Sequence, residues 1–308
     1  MQYFHDFDTL QLENTVVACG KFDGIHAGHR KLLEQLFFYQ EKGFKSTIFT
    51  FDASISKVMQ GTKGFIYTSE ERCFCLEQLG IDYLVEYRFE EPLSRLTPEQ
   101  FVEQILIRQL GAKVVVVGED FRFGYQRQGD VELLGRLEKT YGYELVVVSK
   151  CMDGSEKVSS SEIRNMLIDG EMEQTARLLG RPYFIRGEVI HGRQLGRSIG
   201  MPTANVAVPE GKLIPPNGVY VSRCFLGDRC FYGITNIGTK PTVQGEEVGV
   251  ETFLFDFDED IYGELLTVEF LTHVRREQRF HSVEELSAQM HRDASYGQQY
   301  IREKRYNE

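Results

Sequence analysis

Two histidines three residues apart, His26 and His29, close the segment VVACGKFDGIHAGH at residues 16–29. The β-branched run reads as a buried strand, the glycines as a tight turn, and the histidines as the opening of a helix. A helix start carries unpaired N–H groups and a partial positive charge, which is where a phosphate chain binds. Residues at i and i+3 project from one face of the first turn. Both imidazoles can therefore grip one phosphate and stabilise charge as it shifts between oxygens. Gly24 permits close approach of the main chain, and Gly20, Phe22 and Gly28 are assigned to the same nucleotide site. A lone histidine here would read as packing or surface; two at helical spacing after such a turn favour phosphate chemistry.

Three further stretches carry chemistry. VVVGEDFRFGYQRQGD, residues 115–130, runs from a strand into a glycine-punctuated loop. Its glycines suit an ordinary strand exit, but Phe121 and Phe123 can pack on a planar ring while Asp120 accepts from ring or ribose donors. SSSEIR, residues 159–164, offers a capping box through Ser159 and Glu162. The same hydroxyls, with Ser160 and the Arg164 fork, also suit a phosphate. GEVIHGRQLGRSIGMPTAN, residues 187–205, brings Gly192, Gly196 and Gly200 near Thr203 and Asn205. The glycines let backbone N–H groups approach phosphates, and the hydroxyl and amide oxygens are hard ligands suited to Mg²⁺ on ATP. A glycine-rich hairpin with a capped turn is the plainer reading of that spacing. No G-x-x-x-x-G-K-[ST] loop occurs anywhere in the chain,. Glu251 stands between Val250 and Thr252 in a strand rich in Phe and Leu. Exposed alternation is the usual reason for a charge there, but a partly desolvated carboxylate can accept a hydroxyl proton.

GKFDGIHAGH resembles the HxGH signature of nucleotidyltransferases in the longer form carried by prokaryotic bifunctional riboflavin kinase/FAD synthetases. Residues 115–130 resemble the family's second adenylyltransferase motif, and SSSEIR its Ser-Ser-Thr-x-x-Arg motif. GMPTAN looks like the riboflavin-kinase Pro-Thr-Ala-Asn signature, and GVYVSR, NIGTKPT and VETFLFDFDEDIYG follow it in family order. The resemblance spans roughly residues 14–300. Met201 stands where the family often has an aromatic residue. The family also continues its second strand as Thr-Phe-Asp-Pro-His-Pro; here Thr50, Phe51 and Asp52 lead into Ala53, Ser54 and Ile55.

The resemblance implies a transferase that uses ATP and Mg²⁺ to phosphorylate riboflavin to FMN, then adenylylates FMN to FAD with release of pyrophosphate. It implies catalytic roles for His26, His29, Arg164 and Glu251, with Glu251 as the base. Flavin would meet Phe51, Asp120, Phe121 and Phe123, nucleotide the glycines together with Ser159 and Ser160, and metal Thr203 and Asn205. Two alternatives stand beside this reading: a working kinase with a weakened adenylyltransferase, and a flavin-responsive binding protein without turnover.

These residues need elements to hold them. Strand signals at 15–19, 46–51, 83–87, 113–118 and 144–149 alternate with helical stretches at 28–42, 69–79, 98–110 and 130–141. Continuous apolar strands predict a Rossmann-like α/β unit whose parallel sheet is covered on both faces, with ligands at the strand C-termini. Thr97-Pro98-Glu99 reads as an N-cap with proline in the first turn. A helix over 161–179 closes on Gly180, and the texture then changes to short strands at 184–190, 203–208, 218–226, 229–237, 250–257 and 265–270. That cadence predicts a small closed β-barrel. A C-terminal helix follows, capped by Ser282 and Glu285, with Val283, Leu286 and Met290 as its buried stripe. The expected domains are 1–182 and 183–308.

At 308 residues the chain accommodates two ordinary domains,. A formal net charge of −11 argues against nucleic-acid or anionic-membrane partners,. A nucleotide pocket needs only local cations, and Lys21, Arg30, Lys31, Arg122 and Arg164 lie near the motifs. The expected partners are small-molecule substrates, and the motifs leave self-association open. No apolar run reaches the ~20 residues of a membrane span. Six cysteines are too sparse for a disulfide framework, so free thiols and a cytoplasmic location are expected,.

Overall fold

A computed structural model describes residues 1–5, 10–51, 64–87, 95–153, 156–192, 196, 199–242 and 245–305. The chain forms two compact units, Met1–Ser160 and Ser161–Glu308. Asp52, Ala53, Ser54 and Ile55 lie outside the described residues.

In the first unit, six strands form one sheet in the order β1-β4-β3-β2-β5-β6, every neighbouring pair parallel. They are β1 (Gln2–Phe4), β2 (Thr15–Cys19), β3 (Lys45–Phe51), β4 (Tyr83–Tyr87), β5 (Ala112–Gly118) and β6 (Glu144–Val148); β7 (Met152–Asp153) and β8 (Glu156–Lys157) form a separate two-stranded sheet. β2 is buried at every position, and Val114–Val117 of β5 are buried too, as apolar strands covered on both faces require,. β1 was not expected: three residues at a sheet edge leave no periodic signal. Strand order changes direction between β2 and β5. Ligands gather at such a switch point, outside the strand C-termini. The histidine turn leaves from β2, and the Asp120–Phe123 loop from β5.

The helices are α1 (Ala27–Gln40), α2 (Ser69–Gln78), α3 (Pro98–Gln100) and α4 (Val131–Tyr141). Thr97 caps α3 as expected, with Gln100 completing the capping box,. Beyond α3 the stretch expected as one helix continues as a π-helix, Phe101–Gln109. Apolar spacing alone does not separate the wider turn from an α-helix. Phe101 holds the core together at this point, with ring centroids 5.6 Å from Phe49 and 5.5 Å from Phe123.

The second unit opens with two helices where one was expected. α5 (Ser160–Asp169), whose first residue belongs to the first unit, and α6 (Met172–Leu179) are separated at Gly170, whose φ of +79° breaks the helix,. α6 closes on left-handed Gly180, as expected,. Six antiparallel strands then close into a barrel in the order β10-β13-β12-β11-β14-β9. They are β9 (Tyr183–Ile190), β10 (Ala204–Val206), β11 (Gly218–Leu226), β12 (Arg229–Thr242), β13 (Gly245–Leu254) and β14 (Leu265–Arg276). β10 is shorter than expected. β12 and β13 run longer because their pairing continues to Thr242 and Gly245.

The C-terminal helix α7 (Val283–Arg305) departs from expectation in its first turn. Ser282 Oγ accepts from Glu285 N at 3.2 Å, but the Glu285 carboxylate accepts from His281 N at 2.9 Å, so the box is shifted by one residue. Val283 is 55 % exposed and belongs to no buried stripe, whereas Leu286 and Met290 face a cavity. α7 is fixed to β14 by a two-pronged pair, Arg275 Nε to Asp293 Oδ1 at 3.0 Å and Nη2 to Oδ2 at 2.6 Å,.

Because Phe101 joins the helical layer to β3 and to the loop after β5, Phe101→Ala should destabilise the parallel-sheet unit by about 3–5 kcal/mol. Urea unfolding of the intact chain followed by far-UV circular dichroism checks this; a loss below about 1 kcal/mol contradicts the packing described.

Candidate active sites

The first site is a turn held against its own backbone preference. Between β2 and α1, Phe22, Gly24 and Ile25 have φ of +48°, +88° and +44°. Glycine occupies that region freely, but phenylalanine and isoleucine do so only where surroundings enforce it. The enforcement is visible. Thr50 Oγ1 donates to Lys21 O at 3.1 Å, Tyr67 N to Asp23 Oδ1 at 3.0 Å, and Ser160 Oγ to Asp23 O at 2.9 Å. Phe22 is fully buried and anchors the turn from below.

The turn delivers the histidines as a stack. His26 and His29 rings lie 3.9 Å apart, and Phe22 stacks on His29 at 4.9 Å. His26 is the N-cap of α1, its Nδ1 accepting from Gly28 N at 3.1 Å. That bond places the proton of the neutral ring on Nε2. A side chain at residue 28 would put its Cβ 3.0 Å from the His26 ring, so glycine is what allows this cap. At Gly20 a Cβ would stand 3.1 Å from the Phe22 ring. His29 keeps some exposed surface, yet its Nδ1 is sealed from water and bonds to nothing. Such a group points to a ligand or a functional role. Burial first, then the His26 ring and the Arg72 cation, hold the His29 pKa well below its ordinary 6.5,.

The other residues of the first unit divide. Phe123 is a core residue, 5 % exposed, with Phe121 stacked on it at 5.5 Å. Phe121 therefore offers the more accessible aromatic face. Asp120 is exposed, with Lys150 Nζ 3.8 Å from its carboxylate. Phe51 ends β3 and packs against Phe49 at 5.7 Å. Ser159 precedes α5 and Ser160 opens it, whereas Arg164, four residues further along that helix, falls in the second unit.

The second site lies in the barrel and is organised by strand alternation. Successive side chains of a strand face opposite ways. Along β13, Glu251 and Phe253 line a cavity of ≈ 260 Å³, while Thr252 and Leu254 line another of ≈ 230 Å³. β13 is thus a wall between two chambers, and Thr203 borders both. The register sets Asn205 of β10 opposite Glu251, and Asn236 of β12 opposite it on the other side. Asp258, Ile261 and Tyr262 complete the smaller chamber; Arg275, Met290 and Asp293 help close the larger.

The glycines before β10 have distinct duties. A Cβ at residue 192 would fall 2.4 Å from Asn205 Nδ2, and one at 196 would fall 2.3 Å from Met201 O. Gly192 makes room for the Asn205 amide, and Gly196 for the return of the chain. Gly200, at φ +74°, closes the turn into buried Met201. Thr203, Asn205 and Glu251 are therefore brought together. Asn236, Arg275 and Asp293 were missed. Asn236 left a weak signal, as an amide within apolar ITNI; the Arg275–Asp293 pair left none, because charges at a strand end and on a terminal helix are usually solvated,.

Both halves of the chain match known families. A riboflavin kinase family model matches residues 179–301, and an FAD synthetase model matches residues 8–162. The bifunctional riboflavin kinase/FMN adenylyltransferase of Escherichia coli K12 is 36 % identical over 296 residues, covering 94 % of this chain and 93 % of its own. The Bacillus subtilis protein of that name is 35 % identical over 297 residues, covering 93 % and 92 %. A Streptococcus pneumoniae crystal structure described as a macrolide-efflux protein superposes with a TM-score of 0.83 at 30 % identity, covering 94 % of this chain and 97 % of that one. Among the described residues here, no helix is long and apolar enough to cross a membrane. With both halves matched in order and the whole-length relatives in agreement, the chain belongs to the bifunctional riboflavin kinase/FMN adenylyltransferase family.

Proposed function

We infer that this chain carries out both steps of flavin cofactor assembly, phosphorylating riboflavin to FMN and adenylylating FMN to FAD. One observation carries the reading: the chain folds as two compact units, and an FAD synthetase model and a riboflavin kinase model match its two halves in order.

In the barrel, the larger chamber takes the flavin and the smaller the nucleotide. Glu251 accepts the proton of the riboflavin 5′-hydroxyl as its oxygen bonds to the γ-phosphorus of ATP; the bond from that phosphorus to the bridging oxygen breaks, and ADP leaves. Phosphoryl transfer depends on positioning more than on a strong base. The cross-strand pairing of Glu251 with Asn205 and the place of Thr203 between the chambers supply that positioning. Among the described residues no group of three His, Cys, Asp or Glu could cage a metal. Thr203 and Asn205, with phosphate oxygens, nevertheless fit Mg²⁺, which prefers a few protein oxygens beside its substrate's own. When bound, it neutralises charge on the phosphates.

In the parallel-sheet unit, a phosphate oxygen of FMN bonds to the α-phosphorus of a second ATP, and pyrophosphate leaves from it. The stacked histidines stabilise the oxygens of that phosphorus as charge moves across it. His26 does so through Nε2–H, since its Nδ1 is occupied by the helix cap. His29 works as a neutral donor or acceptor at the pH of the cell, because its environment opposes protonation. Ser159 and Ser160 hold the phosphates, and Asp120, Phe121 and Phe51 border the flavin, with buried Phe123 backing Phe121. Residues 1–182 serve adenylylation and residues 183–308 phosphorylation, with α5 and α6 as the connecting pair. The six free cysteines support a reducing, cytoplasmic setting,.

Three measurements test this. In a time course from riboflavin, ATP and Mg²⁺, the wild-type chain should pass through FMN to FAD. Glu251→Gln should slow FMN formation by about two to four decades, and His29→Ala should halt the course at FMN. Accumulation of FMN without FAD in the wild type would instead favour a kinase with an idle second domain. Gly192→Ala should displace the Asn205 amide and raise the Mg²⁺ concentration needed for half-maximal kinase rate, leaving FAD formation from supplied FMN intact; an unchanged requirement removes Asn205 from the metal site. Finally, a lowered pKa means His29 gains its proton only well below pH 6.5. Its imidazole resonances should therefore stay constant from pH 8 to about 6, and a midpoint at or above 6.5 contradicts the geometry. By the same sign, the unfolded chain binds that proton first, so His29 withdraws stability as pH falls below the unfolded value.

A further inference from the structure

We propose that Arg72 is a positioning residue for adenylyl transfer, setting the main chain of the histidine turn without touching substrate; this rests on the reading that the first unit forms FAD. Arg72 lies on α2 and is 2 % exposed. Its Nη1 donates to Lys21 O at 3.1 Å and its Nη2 to Phe51 O at 3.3 Å. Lys21 begins the turn after β2, and Phe51 ends β3. One planar cation therefore joins two adjacent strand ends bordering the crevice where the nucleotide is placed. A lysine, with a single compact charge, cannot span both carbonyls in this way.

The guanidinium is itself held from behind. Glu86 of β4 is fully buried and accepts from Arg72 Nη2, from the Tyr3 hydroxyl and from Ser69 Oγ, the last at 2.6 Å. A buried ion pair is weak evidence for stability, since the desolvation cost offsets its attraction. What this pair supplies is location. It draws β1, β4 and the start of α2 onto one cation, and that cation onto two carbonyls.

The consequence reaches the histidines through one hydrogen bond, one peptide link and one ring stack. Lys21 immediately precedes Phe22, the first residue forced to positive φ, and the Phe22 ring stacks on His29. Thr50 Oγ1 holds the same Lys21 carbonyl, so two donors converge on it. The arginine charge also adds to the effects that keep His29 neutral. Arg72 thus sets both the place and the electrostatic surroundings of the stack.

The test uses the full chain and two variants, Arg72→Lys and Glu86→Gln, assaying FMN-to-FAD and riboflavin-to-FMN conversion in each preparation. In Arg72→Lys, kcat for FAD formation should fall about 10- to 100-fold, as for a reacting group displaced by about 1 Å. KM for ATP and for FMN should stay within about threefold, and riboflavin phosphorylation should keep the wild-type rate. Glu86→Gln loosens the grip without removing the guanidinium, and its kcat should fall by a smaller factor of about 3 to 10 in the same pattern. A wild-type kcat in Arg72→Lys, or a loss appearing only in KM, overturns the proposal. If Arg72→Lys does not fold, the nearly isosteric Glu86→Gln decides, and wild-type turnover there overturns it. A wild-type chain that makes no FAD refutes the functional reading itself, a result distinct from any variant's behaviour.

Discussion

The Gly20–His26 turn is held in a shape its backbone would not choose, and hydrogen bonds from the surrounding elements hold it there. Positive φ at Phe22 and Ile25 is unfavourable on its own,. Donors from Thr50, Tyr67, Ser160 and Arg72 converge on Lys21 and Asp23, so the surrounding sheet and helices determine the turn more firmly than its own residues do. The histidine stack, the helix cap at His26 and the sealed nitrogen of His29 all follow from that restraint. Strand order places it at the switch point of the sheet,.

In the barrel, alternation along β13 sends its side chains into two separate chambers,. Cross-strand register, fixed by continuous pairing on both sides, sets Glu251 between Asn205 and Asn236. Glycines serve here as spaces for other side chains: residue 192 for Asn205, and residue 297 of α7 for Ile234, whose Cδ1 would lie 2.7 Å from an added Cβ. The pair between Arg275 and Asp293 fixes the helix that walls the larger chamber.

Much of this was legible in the residues. Apolar strands such as KVVVVG, the Thr97-Pro98 cap and the change of texture after Gly180 predicted the α/β unit and the barrel, because burial and turn chemistry leave local patterns. The histidine turn and the Thr203–Asn205 segment were legible for the same reason: each compresses its chemistry into a few neighbouring positions. What escaped was non-local. β1 is too short for periodicity, the π-turn after Gln100 has no distinguishing composition, and Gly170 within a helical pattern did not announce a break. Val283 followed the apolar pattern of α7 yet lies exposed in its first turn. Arg72, Glu86, Arg275 and Asp293 looked like ordinary surface charges, since only the fold brings each to its partner.

On the function proposed, one chain carries two separate ATP-handling pockets, one at the histidine stack and one beside Thr203. Equilibrium dialysis with Mg²⁺ and a non-hydrolysable ATP analogue, at concentrations up to saturation, counts them directly. The account predicts two bound nucleotides per chain, with His26→Ala weakening one and Thr203→Ala the other; saturation at one nucleotide per chain would contradict it.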